Sequence, residues 1–105
     1  MFKLNPAPEF DCDVSIPVPG REPATLTLVF RHKSREDVAA YFTALANTEK
    51  VTAGVLLGIV CGWRNCDAEF NEDNLQKLID NYHGSVRAIF QAYGTELAEG
   101  RRKNS

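Results

Sequence analysis

At Ser34 the spacing of apolar residues changes from every second position to every third or fourth, which divides the chain into a strand part and a helix part. Before that point Cys12, Val14, Ile16 and Val18 alternate with polar residues and proline, so they share one face of an extended strand. Pro17 has no amide hydrogen to give a ladder, which places this strand at a sheet edge or turns that position to solvent. Pro19-Gly20-Arg21-Glu22-Pro23 supplies turn chemistry, and Leu26, Leu28 and Phe30 then alternate against Thr25, Thr27 and Arg31. The two runs, about 11–18 and 24–32, predict an antiparallel β-hairpin. A lone hairpin is marginal in water, so this one must pack on helices or pair with another chain.

After Ser34 the helical period takes over. Ser34 with the acids that follow resembles a capping box, and Val38, Tyr41, Phe42 and Leu45 form one stripe, predicting a helix over 35–46. The next segment, Val51 to Trp63, is apolar on almost every face. A buried strand competes there with a buried helix. The glycines at 54, 58 and 62, four apart, favour a helix over 50–63 with a flat stripe for close approach. Asn71 is a good N-cap, and Leu75, Leu78, Ile79 and Tyr82 make the stripe of a helix over 72–82. Gly84 suits a left-handed C-cap. Ser85 then caps a helix over 85–99 carrying Val86, Ile89, Phe90, Tyr93 and Leu97, which Gly100 closes. The expected class is α+β: hairpin, then four helices, in one domain spanning 1–105. Segments 1–9 and 100–105 are expected to be a flexible arm and a flexible polar tail.

Composition narrows the function. A formal charge of −2 gives no field that would draw the chain to nucleic acid or anionic lipid. The helix over 85–99 offers only Arg87 before its tail, beside Glu96 and Glu99, too little for phosphate contacts along a recognition helix. The longest apolar run is short of the roughly 20 residues of a membrane span, and no signal peptide precedes Asn5-Pro6. An odd number of cysteines, three, suits a reducing compartment, hence a cytoplasmic protein. Cys61 and Cys66 bracket Trp63, but a closed zinc site needs four ligands, and Cys12, His32 and His83 form no tight motif with them. Cys61 lies in an apolar run, where a thiol behaves as a small hydrophobe. Glu69, Glu72 and Asp73 gather at a helix start, where acids favour the dipole. No catalytic, cofactor or metal residue is assigned.

What remains is aromatic. Trp63, Phe70, Tyr82, Phe90 and Tyr93 recur at helix spacing, and Trp and Tyr carry a polar atom that seeks water or a partner at an apolar boundary. Such residues are the usual anchors of protein interfaces. They are the candidate partner-binding set, with Trp63 as a corner anchor and Phe70 packed behind it.

The order of these features has a familiar look. A Trp ending an apolar segment, an acidic loop with Phe, an N-cap and Leu, Asn81-Tyr82, Ala88-Ile89-Phe90-Gln91-Ala92-Tyr93 and a tail of Arg101-Arg102-Lys103-Asn104 follow one another. Together with Phe2-Lys3-Leu4-Asn5-Pro6 and Pro17-Val18-Pro19-Gly20, they resemble the tail assembly chaperones of long-tailed bacteriophages and their prophages. The resemblance implies a non-enzymatic, homo-oligomeric protein of the host cytoplasm. It would bind the tape measure protein, keep it soluble, promote tail tube assembly around it, and be absent from the virion. It also implies a longer product made by a −1 ribosomal frameshift, and Lys103-Asn104 can be encoded as AAA AAC, the end of a slippery run. The alternative is a small adaptor or regulator unrelated to tails, whose gene would lack an open −1 frame.

Overall fold

The computed structural model describes residues 1–100. The polar tail after Gly100, including the arginines at 101 and 102, lies outside the described residues. Strand β1 (Glu9–Ile16) and strand β2 (Ala24–Arg31) form the expected hairpin, with Glu9 opposite Arg31 and Ile16 opposite Ala24. A third strand, β3 (Val60–Trp63), pairs antiparallel with β2, giving the order β1-β2-β3. β1 is an edge strand, and it stops at Ile16, one residue before Pro17 has to be accommodated.

Four helices complete the α+β fold: α1 (Arg35–Ala46), α2 (Ala53–Leu56), α3 (Glu72–Asn81) and α4 (Ser85–Glu99). Two caps form as the sequence implies. Ser34 Oγ accepts the Asp37 amide at 3.1 Å, and Asn71 Oδ1 accepts the Asn74 amide at 2.8 Å. These side chains satisfy amides that the first helical turn leaves without partners.

The expected helix over 50–63 is the main departure. Only its first part, α2, is helical, and its second part is β3. The sheet explains why. β2 is central, so its second row of backbone groups needs partners, and residues 59–64 supply them. The Arg31 amide donates to the Ile59 carbonyl at 2.7 Å, and the Arg64 amide to the Thr27 carbonyl at 3.0 Å. Ala53, Leu56, Ile59 and Val60 of this segment are buried and most of its other residues are half-buried. The three glycines therefore form no helical stripe. Gly62 lies in β3 opposite Val29, and Gly58 lies in the turn after α2, against the ring of Tyr41.

A second departure is local. Gly84 is not left-handed; its φ is −88°, and it is the N-cap of α4, with Ser85 already inside the helix. What requires glycine there is space, since a Cβ would stand 2.9 Å from Pro17 Cγ.

The core lies on one face of the sheet. Cys12, Val14, Ile16, Leu26, Leu28 and Phe30 meet Leu56, Leu75, Ile89 and Tyr93 from the helical layer. Helix α4 packs on β1 and α3 on α2. Helix α1 differs from α3 and α4: none of its residues is buried.

Candidate partner-binding grooves

The attachment of α1 is aromatic. The Tyr41 ring stands edge-on to Phe42 at 5.3 Å and to Phe90 of α4 at 6.5 Å, and Phe42 meets Phe90 at 5.6 Å. The Tyr41 hydroxyl donates to the Val55 carbonyl at 2.8 Å. Burial, with a smaller contribution from Tyr93, pushes its pKa up to about 12, so it remains a donor throughout the neutral range. These contacts hold one side of α1 and leave Val38 and Ala39 facing Gly94, Leu97 and Ala98 of α4 across an open groove of about 540 Å³.

The groove has an apolar floor and a basic mouth. His32, Lys33 and Arg35 line its entrance. Lys33 Nζ stands 5.8 Å above the Tyr41 ring. Among the described residues the one ion pair is Arg64–Asp11 on the outer side of the sheet, at 3.2 Å, so Lys33 and Arg35 have no carboxylate partner there. A cleft with apolar walls and uncompensated cations at its lip suits a segment that is apolar on one side and acidic beside it.

A second, shallower groove of about 350 Å³ opens at the far end of the hairpin. Ile16, Val18 and Leu26 form one wall, Leu78 and Tyr82 the other, and Asn65 and Asp67 the rim.

The five aromatics expected to contact a partner fall in different places. Tyr82 is half-buried and lines the second groove. Phe90 is half-buried against Tyr41 and Phe42 of α1 and does not line the first groove. Trp63 and Phe70 are half-buried together, ring centroids 5.2 Å apart and perpendicular, and the indole Nε1 donates to the Ala68 carbonyl at 2.8 Å. The indole therefore finds its partner within the corner it anchors. Tyr93 is a correction: it is wholly buried, packed on Phe30 at 4.9 Å, and its hydroxyl donates to the Arg31 carbonyl at 2.7 Å. A polar tip at an apolar boundary need not face outward when a strand carbonyl is in reach.

Sequence reasoning passed over the groove walls themselves. Gly94 and Ala98 are four apart on α4, flanking Leu97, a small-residue signal that was legible. That α1 faces them was not.

Burial pushes the Cys61 thiol up, aided by a hydrogen bond and the charge of Glu9, against the weaker opposite pull of Arg31 and Arg64. An activated thiolate requires the reverse. Among the described residues no three His, Cys, Asp or Glu side chains gather in a way that could hold a metal ion, and no helix is long and apolar enough to cross a membrane.

Against this geometry the comparison with known families is decisive. The family model described as phage tail assembly chaperone matches residues 1–104. The chain belongs to that family. No curated protein and no solved structure matches it. For a tail assembly chaperone, clefts with apolar walls are surfaces through which other tail proteins can be held.

Proposed function

We propose that this tail assembly chaperone binds the tape measure protein, keeps it soluble and promotes assembly of the tail tube around it. It works in the cytoplasm of the bacterial host as a homo-oligomer and is not retained in the virion. It acts by binding alone, as one domain, with no cofactor. The observation that carries the reading is that α1 buries none of its residues and that Val38 of its apolar stripe, with Ala39, walls an open apolar groove. An apolar helix of a tape measure protein laid between α1 and α4 would cover that stripe, in the helix-in-groove mode. The acids flanking such a helix would meet Lys33 and Arg35. Of the aromatic set, Phe90 holds Phe42 of α1 against α4, Tyr82 belongs to a second contact surface, and Trp63 packs on Phe70 as a corner anchor.

Co-expression with the tape measure protein of the same phage tests the reading. The wild-type chaperone keeps the long protein in the soluble fraction. Ala39→Glu with Ala98→Glu, both at exposed positions, places charge on the groove walls without touching the core, and sends the long protein to the pellet while the chaperone's own melting temperature stays put. A tape measure protein equally soluble with the variant, or insoluble with the wild type, overturns it. A longer frameshifted product is also part of the proposal. The gene should read A AAA AAC across Arg102-Lys103-Asn104 with an open −1 frame beyond it, and an AAG codon or a prompt stop in that frame counts against it.

A further inference from the structure

Three large apolar side chains stand fully in solvent among the described residues, and all three lie in the N-terminal arm: Met1, Phe2 and Leu4, with Phe2 87% and Leu4 89% exposed. Phe2 and Leu4 flank Lys3, so in an extended arm the two apolar groups fall on one side and the cation on the other. The second groove presents the complement. Its walls are Ile16, Val18, Leu26, Leu78 and Tyr82, and its rim carries Asp67, which has no ion pair among the described residues.

The arm cannot fill that groove in its own chain. The arm enters the sheet at the Glu9 end of β1, where the Pro8 carbonyl accepts the His32 amide at 2.8 Å, and the groove opens at the Ile16 end. At ~3.3 Å per residue these ends lie roughly 23 Å apart. Leu4, five residues before Glu9, reaches at most about 18 Å even when fully extended. The backbone bends at Leu4, Asn5 and Pro8, which shortens that reach further.

We infer that the arm of one copy docks in the hairpin-end groove of the next, Phe2 and Leu4 entering between Ile16, Val18 and Tyr82 while Lys3 faces Asp67. This gives a geometry to the homo-oligomer of the proposed function and rests on that part of it. In head-to-tail addition, with donor and acceptor at opposite ends of β1, the contact is heterologous. Each added copy presents a fresh arm or a fresh groove, and the assembly grows head to tail until it closes or runs on. An open row of copies is suited to covering a long partner.

The test uses the full chain and two variants, followed by sedimentation over a range of concentrations. Phe2→Ser with Leu4→Ser disables the arm at solvent-exposed positions, and Val18→Lys disables the groove by facing Lys3 with a like charge. Burying two such side chains is worth on the order of a hundredfold in association constant, so each variant alone should dissociate at concentrations roughly a hundred times those at which the wild type does. Mixed together, the arm-defective chain still offers a groove and the groove-defective chain still offers an arm. The mixture should form a dimer, about twice 11.7 kDa, and go no further. The pair Lys3→Asp and Asp67→Lys should weaken assembly singly and restore it together. A wild-type monomer at every concentration overturns both the inference and the oligomeric part of the proposed function. A wild-type oligomer that the arm variant leaves intact, or a mixture that stays monomeric, overturns the inference alone.

Discussion

Substituting alanine for Gly58 gives opposite signs for a helix and for the turn observed. In the interior of a continuous helix over 50–63, Gly→Ala would add about 1 kcal/mol of stability. In the turn after α2, the new Cβ would stand 2.7 Å from Cε1 of Tyr41 and 3.2 Å from the Val55 carbonyl oxygen. The ring has little freedom to swing aside, because its hydroxyl is tied to that same carbonyl and its edges meet Phe42 and Phe90. Overpacking of this kind costs about 1–3 kcal/mol, roughly 1 of it from the strained hydrogen bond. Against that stands a gain of about 0.4–1 kcal/mol from the stiffer unfolded chain. The net expectation is a loss of about 1–2 kcal/mol, which lowers the melting temperature of a domain this size by roughly 5–15 °C. Gly54→Ala is the control. Its Cβ meets only Glu72 Oε2 and Thr52 Oγ1, each at 3.6 Å, so it should raise stability by about 0.5–1 kcal/mol. Thermal unfolding followed by circular dichroism reads both. If Gly58→Ala melts at or above the wild-type temperature, Tyr41 does not close on this turn, and the account of how α1 is attached fails.

Two further expectations concern the core. Tyr41 and Tyr93 both have pKa values raised from 10.0 to about 12 by burial, so the folded chain holds these protons more tightly than the unfolded one. Their contribution is whole below pH 10 and drains away between pH 10 and 12, at on the order of 1 kcal/mol per pH unit for each. Urea midpoints across that range should fall, and more shallowly in Tyr41→Phe or Tyr93→Phe; equal slopes would refute the assignment. Ser85 is buried and its Oγ has no hydrogen-bond partner among the described residues. Ser85→Ala removes an unmatched polar atom and should leave stability unchanged or raise it by about 1 kcal/mol; a loss above 1 kcal/mol in urea unfolding would show that the hydroxyl is satisfied.

Period-two alternation and the change of period at Ser34 were enough to place the hairpin, α1, α3 and α4, because each of these elements has one wet face and one dry face. The segment 51–63 carried no such contrast. A pattern that is apolar everywhere does not report a period, so propensity and glycine spacing pointed to a helix where the open side of β2 required a strand. The candidate site was legible in part. Tyr82 lines the second groove, Phe90 packs against α1 without lining either groove, and Tyr93, at the same spacing, went to the core.

The sequence by itself determined the class of fold, the caps of α1 and α3, the edge position of β1 and, through the order of its motifs, the family. Tertiary structure alone decided that residues 60–63 join the sheet, that Gly84 yields room to the Pro17 ring, and which apolar surfaces stay open. The division has a physical cause. Periodicity and capping are properties of neighbours along the chain. Whether an apolar face is covered depends on residues such as Leu97 and Val38, far apart in sequence and brought opposite one another only when the aromatic contacts of Tyr41, Phe42 and Phe90 fix α1 at its distance from α4.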